Sequence, residues 1–130
     1  MNISQAAAAS GVSAKMIRHY ESKGLVPKPR RTSGNYRTYT DADLHVLRFV
    51  RAARHLGFLM PQIGELLDLW RDRRRPSRKV KALITSHVRD LERRIAEVQA
   101  MKATLEELAK HCHGDERPDC PILERLEDAA

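Results

Sequence analysis

A stretch of 34 residues, from Ser77 to Lys110, contains neither proline nor glycine. Apolar residues recur there every seven positions, which is typical of a coiled-coil helix about 50 Å long. Two predicted seam lines hold six apolar residues of eight: Ile84, Leu91, Val98 and Leu105, with His87, Arg94, Met101 and Leu108. Because an exposed lone helix is poorly stabilised, the pattern favours pairing with a second copy of the chain. The alternative is that the helix folds back on its own domain.

The charge of the chain is unevenly distributed. The net charge is +7, yet the residues up to Arg75 include 14 Lys/Arg and 6 Asp/Glu, whereas the rest include 10 and 11. Phosphate contacts supply most of the sequence-independent affinity for DNA, so this asymmetry favours a polyanion-binding module joined to a part with another task. A basic surface that only confers solubility is the alternative.

The first 26 residues predict two short helices joined by a tight turn. Ser4 is expected to cap the first helix, which ends by Gly11, and Ser13 the second, which ends at Lys23 before a left-handed Gly24. The second helix has a polar face that suits a DNA major groove, although a solvated face would look the same. Its predicted DNA contacts are Lys15, Arg18, His19 and Tyr20.

The following segment, from Pro27 to Thr40, changes from helical to β pattern. Prolines interrupt the helix, Ser33-Gly34-Asn35 is turn chemistry, and the flanks are rich in cationic and β-forming residues, which predicts a small hairpin wing. The alternative is a loop whose tyrosines cover the core. The predicted phosphate contacts of the wing are Arg31, Tyr36, Arg37 and Tyr39.

Two more helices are predicted before the long one. Thr40 caps the first, which runs to about Leu56, and the second begins near Pro61 and passes Trp70. Arg51 and Arg54 on the first are expected to contact phosphates. The arginine-rich run that ends at Pro76 is predicted to be a solvated link at a domain boundary.

The segment HCHGDERPDCP, His111 to Pro121, holds both cysteines of the chain. No signal segment or membrane span is predicted, so we expect a cytoplasmic protein, whose thiols are kept reduced. Two thiolates without a third ligand favour a soft monovalent ion such as Cu(I), because Zn²⁺ normally takes four ligands. The intervening acids are expected to face solvent: Asp115, Glu116 and Asp119.

Other chemistries of this segment stay open. His111, Cys112, His113 and Cys120 could supply four zinc ligands, although adjacent residues at a helix end are hard to direct at one ion. The two cysteines could also form a disulfide switch. No catalytic arrangement or phosphate-binding glycine loop is present in the sequence, so an enzyme is not predicted.

The chain resembles the MerR family of transcription regulators over nearly its whole length, and most closely its copper-efflux (CueR/HmrR-type) branch. MNISQAAAASGVSAKMIRHYESKGLVP resembles the opening helix-turn-helix, GNYRTYT the wing, and SRKVKALITSHVRDLERRI the dimerisation helix. Cys112 and Cys120, followed by CPIL, resemble the metal-binding loop of that branch, and Ser77 stands where relatives that sense divalent ions carry cysteine. The chain departs from some members in lacking a Cys/His-rich tail and in having His111 and His113 beside the first thiol.

The resemblance implies a mainly α fold in three parts. A winged helix-turn-helix DNA-binding domain occupies residues 1–75, a long antiparallel coiled-coil dimerisation helix 76–110, and a metal-binding loop with a short C-terminal helix 111–130. It further implies a homodimer on double-stranded promoter DNA, with no membrane association, that activates transcription by distorting the DNA for RNA polymerase. Cu(I), or Ag(I) or Au(I), would be bound by Cys112 and Cys120, with Ser77 beside the partner's loop.

Two other functions remain open from the sequence. One is a zinc or cadmium sensor of the same family. The other is a copper carrier or storage protein, which would explain the cysteine loop but not the basic wing and groove helix.

Overall fold

The computed structural model describes residues 1–118 and 120–128, which form a mainly helical protein, as predicted. The chain divides into two compact units, of which the first is Met1–Val80 and the second begins at Lys81. No helix in the described ranges combines the length and apolar character that a membrane span requires.

The first unit opens with two helices, α1 (Ile3–Ser10) and α2 (Ala14–Ser22). The predicted cap of α1 is wrong: Asn2, not Ser4, accepts a 2.8 Å hydrogen bond from the Gln5 backbone N–H. The Asn2 backbone N–H in turn donates a 2.9 Å hydrogen bond to Oε1 of Gln5. The Asn2–Gln5 pair is a capping box, which satisfies two free N–H groups at once. The predicted Ser13 cap of α2 is confirmed by its 3.2 Å bond from the Met16 N–H.

A two-stranded hairpin follows α2 and confirms the predicted wing. Strand β1 (Arg30–Arg31) is antiparallel to β2 (Arg37–Thr38), with Arg31 opposite Arg37. The connecting turn places Asn35 at a φ of 63°, a left-handed conformation that asparagine tolerates better than most residues. Cationic side chains therefore stand on both strands of the wing.

Two further helices complete the first unit, α3 (Asp41–His55) and α4 (Met60–Arg71). Thr40 caps α3 as predicted, and Pro61 lies in the first turn of α4. Helix α1 packs against α2 and α3, and α3 packs against α4. The largest fully buried side chains form the core: Ile17, Leu47, Val50, Ile63 and Leu67.

Helix α5 (Ser77–Lys110) is continuous, as predicted, and a short helix α6 (Pro121–Asp128) follows the cysteine loop. Ser77 is the first helical residue of α5 and therefore lies one position beyond the N-cap.

The second predicted seam line of α5 differs from the structure. His87 and Leu108 are buried within the chain, whereas Val88 and Ile95, which the predicted seam lines leave out, are exposed. A heptad repeat predicts the period of an apolar stripe, but the folded chain decides which apolar residues are covered and which remain exposed in the stripe. The exposed apolar stripe of α5 consists of Ile84, Val88, Ile95, Val98, Met101 and Leu105.

Candidate DNA interface and metal-binding loop

Helix α2 presents most of its predicted DNA contacts to solvent. Lys15 and Arg18 are exposed and His19 is half-buried. Tyr20 is the exception: its side chain is only 4% exposed and packs in the core rather than on the predicted groove-facing surface. The physical reason is its spacing of three from the fully buried Ile17, which places both residues on the inner face of the helix.

Tyr39 also differs from its predicted role as a phosphate contact. It is buried, and its hydroxyl donates a 2.6 Å hydrogen bond to Oε1 of Glu21. Burial raises the pKa of Tyr39 above its ordinary value, and the bond to Glu21 raises it further. The open alternative, a tyrosine that covers the core, therefore describes Tyr39, whereas Tyr36 on the wing is 75% exposed.

Glu21 is a buried acid that was not among the predicted functional residues. Its Oε2 lies 3.7 Å from the Arg37 guanidinium, so this one carboxylate ties α2 to both Tyr39 and the wing. A buried charge is costly unless it is paired and hydrogen-bonded, and both conditions are met here. The sequence did contain one indication that Glu21 is buried: it lies one helical turn beyond the buried Ile17 and therefore on the same face of α2.

A groove of about 410 Å³ separates the exposed end of α2 from the wing. Among the described residues that line it, Glu21 is the one acid. An excess of cations around one concave surface attracts phosphate groups. Its cationic lining residues are Arg18, Lys28, Arg31 and Arg37, of which Lys28 was not among the predicted contacts.

Some cations of the first unit also have structural partners. Arg31 donates a 3.1 Å hydrogen bond to the carbonyl oxygen of Asn35, which braces the wing turn. Arg54 is exposed and lines, with Ser13 and Arg51, a second groove of about 350 Å³ beside the N-terminal end of α2. Cationic side chains thus stand near both ends of the helix that is predicted to enter the major groove.

The two cysteines are brought together by the ends of two helices. Cys112 follows the end of α5 at Lys110, and Cys120 immediately precedes α6. Both are half-buried free thiols, and their sulfur atoms lie 3.8 Å apart. With metal–sulfur bonds of about 2.3 Å, two sulfurs at this separation can share one ion.

The start of α6 stabilises the thiolate form of Cys120. Backbone N–H groups of Leu123 and Ile122 hydrogen-bond its sulfur and hold the pKa of the thiol below its ordinary value, with a smaller contribution from Cys112. The sulfur thus takes the place of an N-cap oxygen, at the positive end of the helix dipole. A deprotonated sulfur is the form that binds metal ions.

Among the polar loop residues that the structure describes, no larger ligand set is formed beside the two thiols. Among the described residues, no three His, Cys, Asp or Glu side chains form a group suited to a metal ion. His111 is exposed, and its Nε2 lies 2.9 Å from Oε1 of Glu107, so it is engaged away from the thiols.

The acids of the loop follow the predicted pattern where the structure describes them. Asp115 and Glu116 are exposed, and Arg117 bonds Asp115, which holds the pKa of that carboxyl below its ordinary value. Asp119 lies outside the described residues. Ser77 is exposed at the start of α5, and its place beside a partner's loop stays a prediction.

Comparisons with known proteins agree with this architecture. The family described as MerR HTH family regulatory protein matches residues 1–70, and the family described as MerR, DNA binding, matches residues 44–108. Heavy metal-dependent transcription regulator 2 of Rhizobium meliloti (strain 1021) is 59% identical, over 97% of this chain and 86% of its own length. HTH-type transcriptional regulator CueR of Salmonella typhimurium is 45% identical, over 97% and 91%.

A solved structure shares the fold over almost the full length. The transcription regulator PbrR691 from Ralstonia metallidurans CH34, crystallised in complex with lead(II), superposes with a TM-score of 0.83 at 29% identity, covering 97% of this chain and 98% of that one. The sequence matches and this superposition agree on one family. The chain belongs to the MerR family of helix-turn-helix transcription regulators and is therefore a DNA-binding regulator rather than an enzyme.

Proposed function

We propose that this metal-responsive regulator senses Cu(I) through Cys112 and Cys120. The observation that carries the proposal is the pair of half-buried sulfurs at 3.8 Å, with no third ligand grouped beside them in the described part of the chain. Soft monovalent ions accept two thiolates, whereas Zn²⁺ normally takes four ligands. Ag(I) and Au(I) share that chemistry and are expected to bind the same pair.

The metal-dependent and CueR names of the similar proteins support a metal signal for this chain as well. The residues of the loop add an independent reason, because the start of α6 lowers the pKa of the Cys120 thiol and so favours the thiolate form that binds metal ions. Of the two flanking histidines, His111 is paired with Glu107, which favours the two thiols over a set of four zinc ligands.

We further propose that the regulator acts as a homodimer on promoter DNA. The stripe from Ile84 to Leu105 exposes six large apolar side chains on α5, and a second copy of the helix would cover them. Two-fold symmetry then presents two α2 helices to successive major-groove segments, with the wings on flanking phosphates. Lys15, Arg18 and His19 would face the groove, while Arg31, Tyr36, Arg37 and Arg54 would contact the backbone.

The two thiols adjoin helix ends, so a small movement of the Cys112 sulfur would displace the end of α5, the proposed dimerisation helix. Cys112 follows α5 and Cys120 caps α6, so a change in the separation of the two sulfurs on binding one ion would shift the ends of both helices. In the proposed mechanism, this shift changes the twist and bend of DNA that is already bound. Promoter elements then align for RNA polymerase, and transcription rises.

The test compares Cys112→Ser and Cys120→Ser with wild type. The operator is first selected from a random-sequence duplex library with the metal-free protein, and transcription from it is then followed in a Cu(I) titration under reducing conditions. We expect each variant to lose the metal response entirely while operator affinity changes little, because the thiols and the DNA-binding residues lie in different units. His113→Ala, an exposed change in the same loop, serves as the matched control and should respond normally.

Each alternative function predicts a distinct result, either in this experiment or in matched binding titrations of the wild-type protein with buffered Cu(I) and Zn²⁺. If either cysteine variant still induced transcription with metal, the assignment of Cys112 and Cys120 as the metal site would be wrong. A Zn²⁺ affinity equal to that for Cu(I) would point to a divalent sensor and return the histidines as ligands. A copper carrier or storage protein would select no operator from the library.

A further inference from the structure

The segment Arg71–Lys79, here called the basic segment, carries positive charge that lies outside α2 and the wing. Its one acidic residue is Asp72, and every one of its charged residues is exposed. The first part of this segment was predicted from its composition to be a solvated link. Its six cations are Arg71, Arg73, Arg74, Arg75, Arg78 and Lys79.

Hydrogen bonds hold the basic segment in a defined turn. Oδ1 of Asp72 accepts a 2.9 Å bond from the Arg74 N–H, and the Arg75 guanidinium donates to the carbonyl oxygens of Asp72, at 2.8 Å, and Trp70, at 3.4 Å. The single acid is therefore occupied in capping the turn. Within the described ranges, no carboxylate lies within ion-pair distance of any of the six cations.

The start of α5 adds to this positive charge. Arg78 and Lys79 lie in its first turn, which contains no acidic residue, whereas the first turn of α3 contains Asp41 and Asp43. Cations at a helix N-terminus are opposed by the helix dipole, so this arrangement is unfavourable until an anion is bound. Six neighbouring cations therefore favour a polyanion over a single small anion.

The position of Arg71 indicates which polyanion is nearest. Arg71 lines a groove of about 520 Å³ together with Lys23 and Gly24, the residues that close helix α2. Arg71, the first residue of the basic segment, thus lines the same groove as the C-terminal end of the helix that is proposed to enter the major groove. DNA bound by that helix would bring its own backbone to this groove and to the cations beyond it.

We propose that the basic segment binds the phosphates of duplex DNA that flanks the operator, without reading its sequence. The inference rests on the proposed DNA-binding function and extends the contact surface beyond α2 and the wing. Each phosphate contact releases condensed counterions, so the contribution of the segment depends on both salt and DNA length.

The test uses Arg73→Ala/Arg74→Ala in the full-length protein. Affinity is measured across a salt titration for two duplexes: the selected operator alone, and the same operator with random sequence added to both ends. We expect wild type to bind the longer duplex more tightly and with a steeper salt dependence. The double variant should lose that advantage, with the log–log slope reduced by about 0.9 for each phosphate that is no longer neutralised.

Arg89→Ala/Arg93→Ala is the matched control, since it removes two exposed arginines from α5 at positions outside the apolar stripe. It should bind both duplexes as wild type does. Equal slopes for wild type and Arg73→Ala/Arg74→Ala on the longer duplex would overturn the proposal. If those slopes were equal but the variant lost transcription, the segment would be assigned to an acidic protein surface instead. Failure to select any operator would reject the proposed function itself.

Discussion

The two units of the chain satisfy their apolar residues in different ways. In the first unit, Ile17, Leu47 and Ile63 are fully buried by neighbouring helices. In the second, Val98 and Leu105 on α5 are each 60% exposed. The same residue types are thus covered by the chain itself in one unit, whereas along the α5 stripe they remain 40–61% exposed.

Polar residues show the same contrast. Glu21 in the first unit is buried, yet it is paired with Tyr39 and Arg37. In the second unit, the sulfur atoms of the two half-buried thiols lie 3.8 Å apart. The buried groups of the first unit are thus paired within the chain, whereas we propose that the second unit binds a partner helix and a metal ion.

The largest expected effect tests the need of α5 for a partner. Val98→Glu places a charge in the middle of the apolar stripe, and we expect the dimer to dissociate and operator affinity to fall by orders of magnitude. Sedimentation at micromolar protein gives the oligomeric state. Ala96→Glu adds the same charge to the opposite side of the helix and should stay dimeric. A dimeric Val98→Glu variant would contradict the proposed seam.

The next prediction concerns which metal ions the second unit binds. A Ser77→Cys variant is expected to gain measurable Zn²⁺ or Cd²⁺ binding, because a third thiolate from the partner subunit would approach the Cys112–Cys120 pair. Metal titrations with separately buffered Cu(I) and Zn²⁺ measure the change, and Ser86→Cys, an exposed position further along α5, is the control. Equal Zn²⁺ affinity in wild type and Ser77→Cys would show that Ser77 does not lie beside the metal-binding pair.

A smaller effect is expected on the stability of the first unit, from the hydrogen bond between Tyr39 and Glu21. Tyr39→Phe removes the hydrogen bond to the buried Glu21 carboxylate, and we expect a loss of about 1–3 kcal/mol in the free energy of unfolding. Urea unfolding measures it, with Tyr36→Phe on the exposed wing as a control that should cost little. An unchanged unfolding midpoint in Tyr39→Phe would show that the bond adds nothing to stability.

The same tyrosine predicts a pH dependence. Because the folded pKa of Tyr39 is raised above the unfolded value of about 10, its contribution is fully present below that pH. It is lost as the pH rises from 10 toward the folded value. The stability difference between wild type and Tyr39→Phe should therefore narrow above pH 10, and a constant difference would contradict the raised pKa of Tyr39.

The smallest effects are expected for single phosphate contacts. Arg18→Ala and Arg37→Ala should each weaken operator binding and reduce the log–log salt slope by about 0.9, the value for one phosphate. Arg37→Ala should also lower stability, because it removes the cation beside Glu21, whereas Arg18→Ala should not. Unchanged affinity across the salt titration would take that arginine out of the interface.

The order of the elements could be predicted from local chemistry. Ser13 and Thr40 cap the helices they were expected to cap, and the prolines around Pro27 end helical structure before the wing. The cap of α1 was misassigned because Asn2 and Ser4 are both good capping residues. Only the reciprocal bond with Gln5 distinguishes them.

The inward or outward direction of individual side chains was harder to predict. Tyr36 and Tyr39 occur in the same cationic segment, but one is exposed and the other is buried against Glu21. Composition treats the two tyrosines alike, because either can donate to a phosphate. The packing of the wing against α2 separates them, and that packing depends on residues distant in sequence.

The sequence by itself determined the helices, the hairpin, the uneven charge and the two thiols, because capping residues, prolines and heptad spacing act over a few residues. Only the tertiary structure decided that Glu21 joins α2 to the wing and that Val88 and Ile95, rather than His87 and Leu108, continue the exposed stripe. It also brought Cys112 and Cys120 to 3.8 Å. These facts depend on how separate elements meet, and burial and distance are set by the whole fold rather than by local propensity.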